Sequence, residues 1–528
     1  MIEKANDIFT VTDNEVSTLP NNLEEFLKSD QFGGWWRDFR QKKSYFIEFI
    51  SQPSIIHQLV NYIIQIPENE SMENDDKFKN QFASLSYGIL ANDGVVANIF
   101  QHLNLLTIII QQFNGQTINE RANKYFCDFI EILLRGNPEK MYEFICKFPS
   151  MNEKLINSIG SGNFCNMILG IAETWNSNTF IHKIIIEWAI VGLSQLLTEV
   201  DTPESDILAN TVRFLRFLVR TTAFIQSQNS KRFISDLSDR EFLNKFIKRI
   251  LEPDYDSAIC IMPLIIELLV QYKNKNPQIN QQRQQQQQAA NENNPNHEEA
   301  VPTSEDVPLL ITVLLEKHLD IVQFLKEPLD IFKKKEEEKK SKNGNDNSKN
   351  QTIQPPPLGF FRFGLIKLIQ ALLITNYPFS NYLIASTELI SICLELFFLY
   401  YKHSILHSVV TYIVRYIMAI GNKSLIELLI IKCKLPEKII ETYQLNNEIL
   451  DNLRGHLKIF AIAIHNSVIA EEILKTHHSW HDFVVKVLLT EETNSKTQIE
   501  VALAQKKLAR SNLTKQEFTD QLEDKIAQ

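Results

Sequence analysis

The chain has 528 residues, of which 44% are hydrophobic and 22% charged, with a formal net charge of −10. That acidity excludes a general nucleic-acid binder, which needs a concentrated basic surface to displace counterions. The length exceeds what one compact core of ordinary domain size holds, so several domains or a repeat are required, and the small numbers of Gly (15) and Pro (18) favour helices over frequent turns.

Residues 1–22 read as a flexible N-terminus. FGGWWRDF, residues 32–39, holds the paired Trp35 and Trp36. It reads as a terminal helix docked on the first repeat, with a partner anchor as the rival reading. From 23 to 272 the apolar residues fall at helical spacing: Phe46, Ile47, Phe49 and Ile50, then Ile55, Ile56, Leu59, Val60 and Ile63 after Pro53. Such faces need neighbours to bury them. Asn137-Pro138 and Thr202-Pro203 each place a capping side chain before a proline at the first helical position. Ser238 and Glu241 form a candidate capping box, with Leu237 and Phe242 as its staple. Residues 184–197 and 206–224 pair as two helices of one repeat. The predicted fold is all-α, an elongated HEAT- or armadillo-like solenoid with two disordered insertions.

The first insertion, 273–304, is rich in Gln and Asn, and the second, 333–354, in Lys, Glu, Asn and Ser. Neither buries enough apolar surface to offset its ordering entropy. Between them 305–332 is a helical segment, 355–492 a second helical block, and 493–528 a polar C-terminal tail. The six cysteines lie far apart with no C-x-x-C pair, and buried reduced thiols are expected.

His477, His478 and His481 invite a metal site with Asp482, but the spacing alone builds no ligand set, and a polar helix start is the simpler reading. Arg213, Arg216 and Arg220 recur at helical spacing and form either an exposed helix face or a basic ridge for an acidic partner. No Gly-rich phosphate loop, G-x-S-x-G or H-E-x-x-H occurs, and the metallophosphatase signatures GDxHG, GDxVDRG and GNHE are absent. The expectation is a protein that is not an enzyme, uses no cofactor and holds no metal. No apolar run approaches the ~20 residues of a spanning helix, and the first 16 residues lack a signal peptide's apolar core. A cytoplasmic location is expected, with the nucleus as a second one.

The most informative segments are PPPLGFFRFGLIKLIQALLITN, residues 355–376, and LFFLYYKHSILH, residues 396–407. With FIEFISQPSIIHQLVNYI (46–63), NPEKMYEFICKFPSMNEKLINSIG (137–160), ANTVRFLRFLVR (209–220), RGHLKIFA (454–461) and WHDFVVKVL (480–488), they resemble, in order, blocks of the SAPS-domain family, the regulatory subunits of protein phosphatase 6. Two departures from that pattern are NMILGIA, residues 166–172, and the absence of a Trp in LFFLYYKHS. The resemblance implies a regulatory or scaffolding subunit that binds a protein phosphatase 6-type serine/threonine catalytic subunit and helps select substrates, together with an ankyrin-repeat third subunit. An armadillo-type transport or cargo adaptor is the alternative. Polar members of the matched blocks are the candidate partner-binding residues: Asn210, Arg220, Arg362, Asn376, His407, Arg454 and His456. They either contact the partner or cap helices and bond between repeats. As contacts, Arg362 and Arg454 tolerate charge reversal without loss of melting temperature.

Overall fold

The computed structural model describes residues 23–28, 44–67, 74–114, 119–174, 179–195, 205–221, 239–251, 255–274, 307–342, 354–445 and 448–488. Among them every regular element is helical. The expectations placed on Trp35-Trp36, on Thr202-Pro203, on Leu237 and Ser238, on 275–306 and 343–353, and on the two chain ends lie outside the described residues. The chain divides into two compact units, Met1–Gln271 and Tyr272–Gln528.

In the first unit the helices are α1 (Leu23–Lys28), α2 (Ser44–Ile50), α3 (Pro53–Ile64), α4 (Asn74–Leu90), α5 (Asp93–Gln101), α6 (Leu103–Asn114) and α7 (Glu120–Gly136). There follow α8 (Pro138–Lys147), α9 (Pro149–Asn157), α10 (Gly162–Thr174), α11 (Thr179–Gln195), α12 (Ser205–Arg220), α13 (Arg240–Leu251) and α14 (Tyr255–Asn274). Their starts are chemically specified. The Asn137 side chain accepts from Lys140 N at 3.1 Å ahead of Pro138, and Asn119 accepts from Ala122 N at 2.9 Å. Asp239 caps α13 by accepting from Phe242 N at 2.7 Å, one residue beyond the expected Ser238.

Packing recurs at every third helix: α2 on α5, α3 on α6, α4 on α7, α6 on α9, α7 on α10 and α8 on α11. The repeat is therefore a triplet of the armadillo kind rather than the pairs of a HEAT repeat. Helices such as α5 and α9 are nine residues long, too short to show a period in the sequence. An aromatic line joins successive layers, with Phe113 4.5 Å from Phe126, Phe126 6.1 Å from Phe164, and Phe164 6.3 Å from Trp188. Gly160 sits where an added Cβ would lie 2.7 Å from Ile207 Cγ1, so its lack of a side chain lets α12 approach.

The second unit contains α15 (Leu309–Glu316), α16 (His318–Lys342), α17 (Gly359–Thr375), α18 (Pro378–Ser386), α19 (Leu389–Leu399) and α20 (Ser404–Ile420). It continues with α21 (Lys423–Glu427), a π-turn at Leu428–Lys432, α22 (Leu435–Leu445), α23 (Glu448–His465), α24 (Val468–Ile473), α25 (His478–Phe483) and a second π-turn at Val484–Leu488. The same three-helix period holds, with α15 on α18, α16 on α19, α17 on α20, α18 on α21, α20 on α23, α21 on α24 and α22 on α25. The helical segment expected at 305–332 packs into this stack through α15 and α16. The charged linker expected to begin at residue 333 is corrected, because α16 continues to Lys342. Lys333–Lys335 and Glu336–Glu338 alternate in blocks that bring opposite charges together at three- and four-residue spacing, which supports an exposed helix.

Cys127, Cys165, Cys393 and Cys433 are buried free thiols, as expected, whereas Cys146 is exposed and Cys260 half-buried. Burial pushes the Cys127 and Cys393 thiols up to about 12. No single helix among the described residues is long and apolar enough to cross a membrane.

Candidate interaction surface

The candidate residues divide by what their polar atoms do. Asn210 on α12 donates from Nδ2 to Ile159 O at 2.8 Å and Gly160 O at 3.1 Å, satisfying carbonyls at the end of the preceding repeat. Asn119 makes a similar bond to Ile66 O earlier in the stack. Asn376 ends α17 in the left-handed conformation at φ 56°, which asparagine tolerates better than most residues, and its Oδ1 accepts from Asn381 Nδ2 at 2.8 Å. Arg362 donates from Nε to Phe324 O at 3.0 Å and pairs with Glu327, tying α17 to α16.

His407 is 2% exposed, and its Nε2 lies 2.9 Å from Tyr400 O. Burial, opposed by the Tyr400 carbonyl, lowers its pKa to about 4. His456 faces it with ring centroids 5.4 Å apart, bonds Thr411 Oγ1 through Nδ1 at 2.8 Å, and is also shifted down by burial. Arg220 and Arg454 are the solvent-exposed members. Arg220 Nε is 2.8 Å from Glu267 Oε2, and Arg454 lies 3.9 Å from Asp451. Asn210 and Arg220 stand in the first unit and the other five in the second.

His477 caps α25, its Nδ1 accepting from Trp480 N at 3.2 Å while Nε2 meets Glu437 Oε1 at 3.2 Å. Both ring nitrogens are thus engaged at a polar helix start. Among the described residues no group of three or more His, Cys, Asp or Glu side chains is placed to hold a metal ion.

The two most informative sequence segments do converge. Residues 354–360 with Phe363 form one wall of an open cleft of about 680 Å³, and residues 399–405 form the other. Tyr400 fastens the walls by donating its hydroxyl to Pro356 O at 2.5 Å, and burial pushes that phenol up to about 12 against the opposing charge of Arg362. Gly359 opens α17 at φ +75°, a conformation L side chains rarely adopt, and nothing lies within 4 Å of an added Cβ. The chain can therefore turn sharply from the prolines into the helix. Phe360 and Ile405 project from the cleft with 79% and 60% of their surface exposed. His403 stacks near Phe363 at 6.0 Å while its Nδ1 accepts from Leu406 N at 3.1 Å, and Lys402 lies 2.7 Å from Glu448. With His403 and Lys402 occupied in capping and ion pairing, the cleft presents mainly apolar and aromatic surface. Sequence reading gave weight to the polar members of these blocks and passed over Phe360 and Ile405. Their signal was apolar side chains at a helix start, beyond the span that the core uses.

Comparison with known proteins bears on what such a surface serves. Residues 130–382 match the SAPS family, described as SIT4 phosphatase-associated protein. The chain is 21% identical over 502 residues to serine/threonine-protein phosphatase 6 regulatory subunit 3 of Gallus gallus, covering 86% of this chain and 54% of that protein. It is likewise 21% identical over 502 residues to regulatory subunit 3-B of Xenopus laevis, covering 86% of this chain and 55% of the relative. The chain spans about half the length of the curated relatives it matches. The match runs from α7 to α18 and takes in Asn210, the α12 arginines and the proline wall of the cleft, so the family that the ordered blocks resembled is the one whose model matches this stretch.

Proposed function

We propose that this chain is a regulatory and scaffolding subunit of a serine/threonine phosphatase of the protein phosphatase 6 type, and that it binds the catalytic subunit and helps select phosphoprotein substrates. The observation that carries the reading is the SAPS match over 130–382, within a family described as phosphatase-associated. The helical stacks suit the role physically. Rigid layers hold two proteins side by side and raise their effective concentration, while the bond-breaking chemistry stays with the partner. The cleft with Phe360 and Ile405 is the surface assigned to the catalytic subunit, because exposed aromatic and aliphatic side chains beside a pocket are the usual anchors of protein interfaces. An ankyrin-repeat protein is the proposed third subunit, and the cytoplasm the proposed place of action, with the nucleus as a second.

The test is affinity purification of the full chain followed by mass spectrometry. A phosphatase catalytic subunit at near-stoichiometric recovery is expected. The double variant Phe360→Ala, Ile405→Ala should lower that recovery at least about tenfold with an unchanged melting temperature, as loss of interface anchors does. Wild-type recovery by the double variant would remove the cleft from the assignment, and absence of any phosphatase would remove the function. The three-helix period favours one second reading, an armadillo-type transport adaptor. Importins or vesicle-coat proteins in place of a phosphatase would establish it.

A further inference from the structure

Arg213, Arg216 and Arg220 occupy α12 at spacings of three and four residues, which places them on one face of the helix. Arg220 is held by Glu267 of α14 at 2.8 Å, and the Glu267 side chain is 14% exposed. Arg213 is exposed and lies within hydrogen-bonding reach of the Cys165 thiol. Arg216 between them is half-buried, and its Nε is shielded from solvent without a hydrogen-bond partner. Burial and the neighbouring charge of Arg220 both work against the Arg216 cation, and Glu267 favours it. Among the described residues Glu267 is thus the carboxylate that acts on both Arg220 and Arg216, and no ion pair joins Arg213 or Arg216 to a carboxylate, on a chain whose net charge is −10. A partly desolvated guanidinium with an idle donor is costly unless an anion completes it.

We propose that this face of α12 is a docking site for a phosphorylated segment of a protein. The charge matches, since a phosphate monoester carries about −1.5 to −2 at neutral pH and offers three acceptor oxygens. The geometry matches as well, because guanidinium forks bind such oxygens in pairs and bind them more strongly where water is partly excluded. Three arginines are too few for the counterion release that drives nucleic-acid binding. The choice of a phosphoprotein as the source of the phosphate rests on the phosphatase-regulator reading. On that reading the site would hold a substrate for the catalytic subunit.

The experiment uses the full chain with a fluorescent degenerate peptide library bearing a central phosphoserine, and the same library unphosphorylated. Preference for the phosphorylated library by at least about tenfold is expected, the size typical of charge-assisted hydrogen bonds. Arg216→Gln and Arg213→Gln should each reduce that preference severalfold, and Arg216→Lys should recover only part of it because the charge returns without the fork. Arg213 is exposed, so its variant carries the test if Arg216→Gln fails to fold. Equal binding of the two libraries, full binding by Arg213→Gln, or tighter binding of a single-stranded RNA oligonucleotide would overturn the proposal. Recovery of the catalytic subunit is measured on the same variants. Phosphopeptide binding without the catalytic subunit would leave the site standing and remove the phosphatase reading, whereas catalytic-subunit recovery without phosphopeptide preference would do the reverse.

Discussion

Phe397 is fully buried on α19, with Phe398 and Phe460 at 5.1 Å and His407 at 4.9 Å, centroid to centroid. Truncation to Ala leaves a cavity among rings that cannot collapse together, so urea denaturation should show a loss on the order of 3–5 kcal/mol. Unchanged stability would place this side chain at the surface. The two histidines beside it set a pH dependence. A histidine whose folded pKa lies below its unfolded value of about 6.5 is neutral in the native state and takes up a proton on unfolding. Its contribution is therefore complete above pH ~6.5 and is lost as pH falls toward the folded value, about 4 for His407. His456 shifts in the same direction. The urea midpoint should fall between pH 6.5 and 4.5, by an amount worth at most about 3 kcal/mol from His407, and His407→Gln should flatten that slope. A midpoint independent of pH over this window, with the carboxylate contribution measured in parallel on the variant, would contradict the burial of the neutral ring.

At the scale of elements, polar side chains join one repeat to the next. Asn210 reaches back to carbonyls about 50 residues earlier and Asn119 does the same earlier in the stack, because helix ends leave unpaired carbonyls that must be satisfied when buried. Arg362 has the corresponding role between α17 and α16. This reverses the expectation that its charge could be inverted without effect on melting. Arg362→Glu should lower stability by about 1–3 kcal/mol, since it leaves Phe324 O without its donor and sets two carboxylates together. Charge reversal at the more exposed Arg454 should change stability by under about 0.5 kcal/mol. Thermal melts of the two variants side by side check the contrast, and equal melting temperatures would return Arg362 to the interface candidates.

For the whole molecule, the Gln/Asn-rich stretch is distinguished by its composition. Deletion of residues 274–299 should leave the helical circular-dichroism signal and catalytic-subunit recovery at wild-type levels. The stretch is nearly devoid of apolar side chains, and shortening a connection by this much alters closure entropy by only about 1 kcal/mol. Retained helix content with loss of the phosphatase would make the stretch itself a recognition element and would move binding away from the helical stacks.

Helical periodicity, the Asn137-Pro138 cap, the absence of strand alternation and the ordered SAPS-like blocks were all legible in the chain, because each depends on residues within a few turns of one another. The three-helix period was not, since it is a relation between helices whose shortest members carry almost no periodic signal. The candidate polar residues show the same division. Their types at those positions were visible, yet whether Arg362 or His407 faces a partner or a carbonyl depends on another helix some 40 residues away or on a turn packed against it. Likewise Pro356 and Tyr400, 44 residues apart, meet only because α17 stacks on α20. Sequence alone determined which segments are helical and which family the middle of the chain resembles. Tertiary packing decided which side chains are consumed in holding the stacks together and which, like Phe360 and Ile405, are left exposed.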